Sequence, residues 1–232
     1  MSEKTALMWS SGKDAAYALF QLQQQGIQVD RLLTTVNESL GRVTMHGLSL
    51  EMLNAQLQAV NIPFQSIFLP EKVTNEVYNR EMSLVFKQLK EDGFTTIAFG
   101  DIFLEDLKLY REKELEKVGL KAIFPLWKKN TASLFKEMIN QGLKAVVICV
   151  NGSVLDKSFI GRELSNEFLN DLPENVDPCG ENGEFHTFCY HATYFNHPVR
   201  FYVGQTVEKK YSIGTTAYPF WFCELHLTDK KL

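Results

Sequence analysis

Ser10-Ser11-Gly12-Lys13-Asp14 sits between the apolar, strand-like run Thr5-Ala6-Leu7-Met8-Trp9 and a helix-like run from Ala15 to Gln25. A short loop of small residues at such a junction leaves backbone N–H groups unpaired at a helix N-terminus, a setting that favours an anion. The stretch therefore reads as a phosphate loop, set against a plain small-residue turn capped by Asp14. No glycine stands ahead of Gly12-Lys13 at the Walker A spacing, and three spaced glycines for a dinucleotide fingerprint are missing too.

Working outward, short apolar runs at Thr5 to Trp9, Val29 to Val36, Phe64 to Leu69, Thr95 to Phe99, Lys121 to Phe124 and Ala145 to Val150 read as strands. Helix-like segments alternate with them at Ser49 to Val60, Thr74 to Asp92, Glu105 to Val118 and Thr131 to Gln141, several followed by glycine. That alternation predicts an α/β fold with a doubly wound parallel sheet over residues 1–150. After Asn151 the chain turns to Gly, Asn, Asp and Pro. It then gives β-rich runs at Thr187 to Phe195, Val199 to Val203, Gln205 to Ser212 and Phe220 to Leu227, a smaller α+β region over 151–232.

The 232 residues are 45% hydrophobic with a formal charge of -4, which fits a soluble protein and argues against a nucleic-acid footprint. Apolar runs fall short of the ~20 residues that cross a bilayer, and Met1-Ser2-Glu3-Lys4 does not resemble a signal peptide, so no membrane partner and a cytoplasmic location are expected. Cys149, Cys179, Cys189 and Cys223 form no C-x-x-C pair, and the expectation is reduced, mostly buried thiols.

A second polar stretch, Cys179-Gly180-Glu181-Asn182-Gly183-Glu184-Phe185-His186-Thr187, sets two carboxylates three residues apart between glycines. Such a pair would hold magnesium, bind ammonium, take a proton from an attacking amine, or stand as a solvated hairpin.

The first loop resembles the PP-loop pattern Ser-Gly-Gly-x-Asp-Ser of the ATP pyrophosphatase superfamily, with Ser11 in place of its first glycine and Ala15 in place of its last serine. Together with the Glu181–Glu184 stretch it resembles the diphthine-ammonia ligase family. Met45-His46, Gly100, Arg111, Pro125-Leu126-Trp127 and Gly161-Arg162 extend the likeness along most of the chain. The departures at Ser11, Ala15, Asn182 and His186 are similar to a divergent, bacterial-type branch.

The resemblance implies an adenine nucleotide α-hydrolase-like fold with ATP at the carboxyl ends of the first, second and fourth strands. It implies that ATP adenylates a substrate carboxylate, releasing pyrophosphate, and that ammonia then displaces AMP. Ser10, Ser11 and Gly12 would contact the β,γ-phosphates and Lys13 would neutralise the leaving group. Asp14 would position Mg2+ or cap the helix. Thr34, Thr35 and Val36 would read the adenine edge, and Gly100 would let the backbone approach the nucleotide. Glu181 and Glu184 would bind or deprotonate ammonium.

His46 would reach nucleotide or substrate, or else lie exposed. Asp101 would bind magnesium or cap a helix, and Arg111 would clamp an anion or lie on a solvated helix face. The implied partners are ATP, ammonium and a protein-borne or small-molecule carboxylate, with a homodimer allowed for. A cobalamin precursor is one alternative substrate, and a non-catalytic adenine-nucleotide-binding module is the alternative function.

Overall fold

Thr5, Ala6 and Leu7 are buried in strand β1 (Lys4–Met8), and a strand buried on both faces needs pairing on both edges and cover above and below. The computed structural model, which describes residues 3–44, 46–70, 73–213 and 216–228, supplies both. β1 runs parallel to β2 (Arg31–Asn37) on one side and to β5 (Phe94–Ala98) on the other. Beyond them lie β4 (Phe64–Leu69), parallel to β2, and β6 (Lys121–Ile123), parallel to β5. The parallel order β4-β2-β1-β5-β6 reverses direction at β1, so the switch point lies at its carboxyl end, where Ser10 follows. This is the expected α/β arrangement. A two-residue strand, β3 (Arg42–Val43), adds antiparallel to the end of β2.

The helices form for local reasons. Helix α1 (Lys13–Gln24) leaves the loop Ser10–Gly12 directly, so Asp14 stands in its first turn and not at its N-cap. In α2 (Leu50–Val60) the Ser49 hydroxyl accepts from Met52 N–H, and in α3 (Asn75–Glu91) Thr74 accepts from Val77 N–H. Each cap contributes about 1 kcal/mol. Gly93, at φ 85°, ends α3 in a conformation that costs a side-chain-bearing residue more. Met82, Phe86 and Leu89 of α3 and Leu115 of α4 (Glu105–Glu116) bury a core with Ala6, Leu33, Leu69 and Ile97 of the sheet.

The second sheet is antiparallel, in the order β8-β7-β10-β9, built from β7 (Lys144–Asn151), β8 (Phe185–His191), β9 (Phe201–Ile213) and β10 (Thr216–Leu227). Two sequence expectations change here. The run Ala145 to Val150, read as the last parallel strand, pairs antiparallel with β8 and β10, with Val150 opposite Phe185 and Cys149 opposite Phe222. An apolar run buried on both faces looks the same in either kind of sheet, and only its distant partners decide. Val199–Val203 and Gln205–Ser212, read as two runs, lie largely in the single strand β9, which runs through Gly204.

Helices α5 (Thr131–Asn140), capped by the Asn130 side chain, and α6 (Asn166–Asp171) accompany this sheet. Phe168 of α6 stacks on Phe135 of α5 at 5.8 Å and meets Phe185 edge-on at 5.5 Å.

The chain divides into two compact units. One comprises Met1–Ser10, Asp14–Thr44 and Ile62–Lys129; the other comprises Ser11–Lys13, Met45–Asn61 and Asn130–Leu232. Asn151, the boundary expected from composition, falls inside the second unit. Among the described residues no helix is long and apolar enough to cross a membrane.

Candidate functional site

Ser11 adopts φ 70°, the left-handed region, where the PP-loop pattern has glycine. For a residue with a Cβ this costs roughly 1–2 kcal/mol. Three hydrogen bonds within the second unit hold the segment there. The Ser11 carbonyl accepts from Cys189 N–H and from Gln56 Nε2, each at 2.9 Å, and Lys13 N–H donates to Thr187 Oγ1 at 3.1 Å. That last bond takes one backbone N–H that the loop was expected to offer an anion. The Ser11 hydroxyl is fully buried and has no hydrogen-bond partner among the described residues.

Lys13 is 2% exposed; its ammonium donates to the Cys179 carbonyl and lies 5.5 Å from the centre of the Phe185 ring. A buried ammonium needs such company, since an unpaired one would lose its charge.

The loop that presents the Cys179 carbonyl is held by its own carboxylates. Asp177 Oδ2 accepts from Cys179 N–H at 3.0 Å and from Glu181 N–H at 3.1 Å. Glu184 Oε1 accepts from Asp177 N–H at 3.0 Å and from Asn182 Nδ2 at 3.0 Å, while Oε2 accepts from Asn182 N–H at 2.9 Å. Glu184, expected to bind or deprotonate ammonium, is thus 5% exposed with both oxygens turned to the loop's own donors. Glu181 remains half-buried. Gly180 sits at φ 68°, and a Cβ there would lie 2.9 Å from the Phe185 carbonyl, so this turn requires glycine. Cys179, within this polar stretch, is buried, as are the other three free thiols. Burial pushes Cys149 up to about 12 and Cys223 up to about 11, which makes both inert.

His46 is half-buried and not exposed: its ring lies 4.7 Å from that of His186, and Nδ1 is 3.3 Å from the Thr187 carbonyl. Met45, beside it in the sequence pattern, lies outside the described residues. Burial first, then the His186 ring, hold His46 well below its ordinary value. Burial and the Lys13 charge bring His186 to about 4. Folding therefore excludes protons that the unfolded chain binds. Stability should be constant with respect to these groups above about pH 6.5 and should fall as pH drops from there towards 4. The slope is up to about 1.4 kcal/mol per pH unit for each histidine. Urea unfolding of the wild type and of a His46→Phe/His186→Phe variant measures this; equal slopes between pH 6.5 and 4.5 would contradict it.

The remaining candidates lie in the first unit. Thr34 and Val36 are buried in β2 and Thr35 is half-buried. β1 pairs with β2 as far as Leu33, and beyond it Val36 faces β3, with Thr44 N–H donating to the Thr35 carbonyl at 3.1 Å. Thr34 lies at the changeover, and its buried hydroxyl has no partner among the described residues. Gly100 brings the backbone close to α1: a Cβ would stand 3.0 Å from the Asp14 carbonyl carbon and 3.1 Å from Ala15 N.

Asp101 is no helix cap, since Leu104 precedes α4. Its carboxylate faces Arg111, with Nε 2.9 Å from Oδ2 and Nη2 donating to Oδ1 at 3.0 Å. Arg111 also lies 4.4 Å from the centre of the Phe99 ring, so it belongs to a packed ion pair and not to a solvated helix face. Among the described residues no three His, Cys, Asp or Glu side chains are grouped to hold a metal, and Asp101 is committed to Arg111.

Sequence reasoning missed Gln56, Asp177 and Thr187. Gln56 is fully buried on α2 among Met52, Leu53, Leu57 and Val60, and a lone amide within an apolar stripe was the one available signal.

The fold and loop define the class: an α/β protein of PP-loop type with a separate antiparallel sheet. Residues 3–122 match the diphthamide synthase N-terminal domain and residues 130–218 match the diphthamide synthase C-terminal domain, and the chain belongs to this family. It is similar to the diphthine–ammonia ligases of Bos taurus and Homo sapiens. Each is 24% identical over 249 residues, which cover 98% of this chain and 93% of the relative. A Schizosaccharomyces pombe protein of the same name is 29% identical over 229 residues, 90% of this chain and 37% of that protein.

Proposed function

We propose that this protein is an ATP-dependent ligase that converts a substrate carboxylate into an amide with ammonia. A carboxylate oxygen attacks the α-phosphorus of ATP and pyrophosphate leaves, giving an acyl-adenylate. Ammonia then attacks the acyl carbon, AMP leaves with the bond electrons, and the surplus proton passes to a base. The observation that carries this reading is the loop Ser10–Asp14 at the carboxyl end of β1, where open α/β sheets bind their ligands. The names of the relatives point to the same chemistry.

In this reading Ser10, Ser11 and Gly12 contact the departing pyrophosphate and Lys13 offsets its charge, while Thr34 to Val36 and Gly100 line the nucleotide. Lys13 exchanges its Cys179 carbonyl for a phosphate oxygen, a stronger, charge-assisted partner. Glu181 takes the proton from ammonia, and Glu184 keeps the loop in shape. Magnesium arrives with the nucleotide, held by phosphates and waters. Diphthine is the first carboxylate to try, from the relatives' name, and a corrinoid acid the second. A nucleotide-binding module without turnover is the competing reading.

The test is incubation with ATP, 15N-ammonium and each carboxylate, read by mass spectrometry. Incorporation of 15N that depends on ATP is expected, and Glu181→Gln should keep ATP affinity while losing about 10² or more of the amidation rate. ATP binding without nitrogen incorporation for every carboxylate would favour the module.

A further inference from the structure

We infer that Gln56 is a positioning residue of the phosphate loop, whose side-chain amide holds Ser11 in the left-handed conformation that the loop requires. The inference rests on the ligase reading and deepens it. Ser11 carries a Cβ at φ 70°, in a region that glycine enters freely and serine does not. Something must hold it there. Its carbonyl is gripped from two directions, by the Cys189 N–H of β8 and by Gln56 Nε2, both at 2.9 Å. Gln56 Nε2 also donates to the Cys189 carbonyl at 2.5 Å, so one amide group ties the loop to the strand beneath it. The Gln56 side chain is fully buried on α2, and its Nε2 sits where both carbonyls meet. A buried amide in an apolar stripe is costly unless its bonds are made, and here two of them go to the loop and its support.

The experiment is a double-mutant cycle of Gln56→Met and Ser11→Gly, reading ATP and AMP affinity by titration calorimetry and stability by urea unfolding. With Ser11 present, Gln56→Met should weaken ATP binding about tenfold while AMP, which lacks the β,γ-phosphates, changes less than about twofold. In the Ser11→Gly background the same change should cost ATP less than about threefold, because glycine keeps the left-handed turn unaided. Unfolding should show the same dependence, a smaller loss in the glycine background.

Equal losses in both backgrounds, or equal losses for ATP and AMP, would overturn the inference. Should Gln56→Met not fold with Ser11 present, Gln56→Asn, too short to reach both carbonyls, takes its place in both backgrounds. Absence of ATP binding by the wild type would instead sink the ligase reading, and the unfolding cycle would still decide the role of Gln56.

Discussion

Exchanging Lys13 for methionine is expected to lower ATP turnover by about 10²-fold or more while leaving the chain folded. In the proposed reaction, the turnover loss follows from removing the loop's own positive charge where negative charge would accumulate on the leaving pyrophosphate, an effect comparable to deleting a preorganised donor. Folding should survive because Lys13 is 2% exposed and lies over Phe185, a place that suits an unbranched thioether against an aromatic ring. The exchange leaves the Cys179 carbonyl without its ammonium donor, at a cost of about 1–3 kcal/mol. Single-turnover kinetics and thermal unfolding measure the two effects separately. Turnover at the wild-type level would show that the phosphate group is held elsewhere.

The second large effect concerns stability. Arg111→Leu should destabilise the first unit by about 3 kcal/mol, because it abandons the Asp101 carboxylate, only 9% exposed, in a packed position beside Phe99. Arg111 is itself 21% exposed, which keeps the figure at the low end for a buried pair. The double change Asp101→Leu/Arg111→Leu removes both charges and should recover most of that loss. Urea unfolding of the three proteins gives the comparison. A single variant as stable as the wild type would mean that the pair is solvent-screened. Since Asp101 follows Gly100, whose backbone abuts Asp14 and Ala15, the single variant should also weaken ATP binding.

The parallel sheet was legible because its signals are local. Short apolar runs alternate with capped helices, and Ser49, Thr74 and Asn130 cap where the pattern starts each helix. The run Ala145 to Val150 was not assignable, since its partners, Phe185 and Phe222, lie far along the chain. The loop Ser10–Asp14 could be picked out for the same local reason, as it occupies five consecutive residues at a strand-to-helix junction. What holds the loop could not. Gln56 and Thr187 reach it across 45 and 174 residues, a separation that no local pattern encodes. Glu184 looked reactive because two carboxylates between glycines suggest chemistry, whereas its oxygens satisfy N–H groups of its own turn. Hydrogen-bond direction within a turn is not written in composition. Arg111 looked solvated for the opposite reason: α4 is heavily charged, and only the folded position of Asp101 packs this arginine.

Phosphorus NMR of ATP incubated with the protein, ammonium and diphthine or another candidate carboxylate tests most directly whether the loop Ser10–Asp14 directs cleavage between the α- and β-phosphates. Signals of AMP and pyrophosphate growing together in the wild type, and absent with Lys13→Met, are the expected result. ADP with inorganic phosphate would place cleavage at the γ-phosphate and contradict adenylation at this loop.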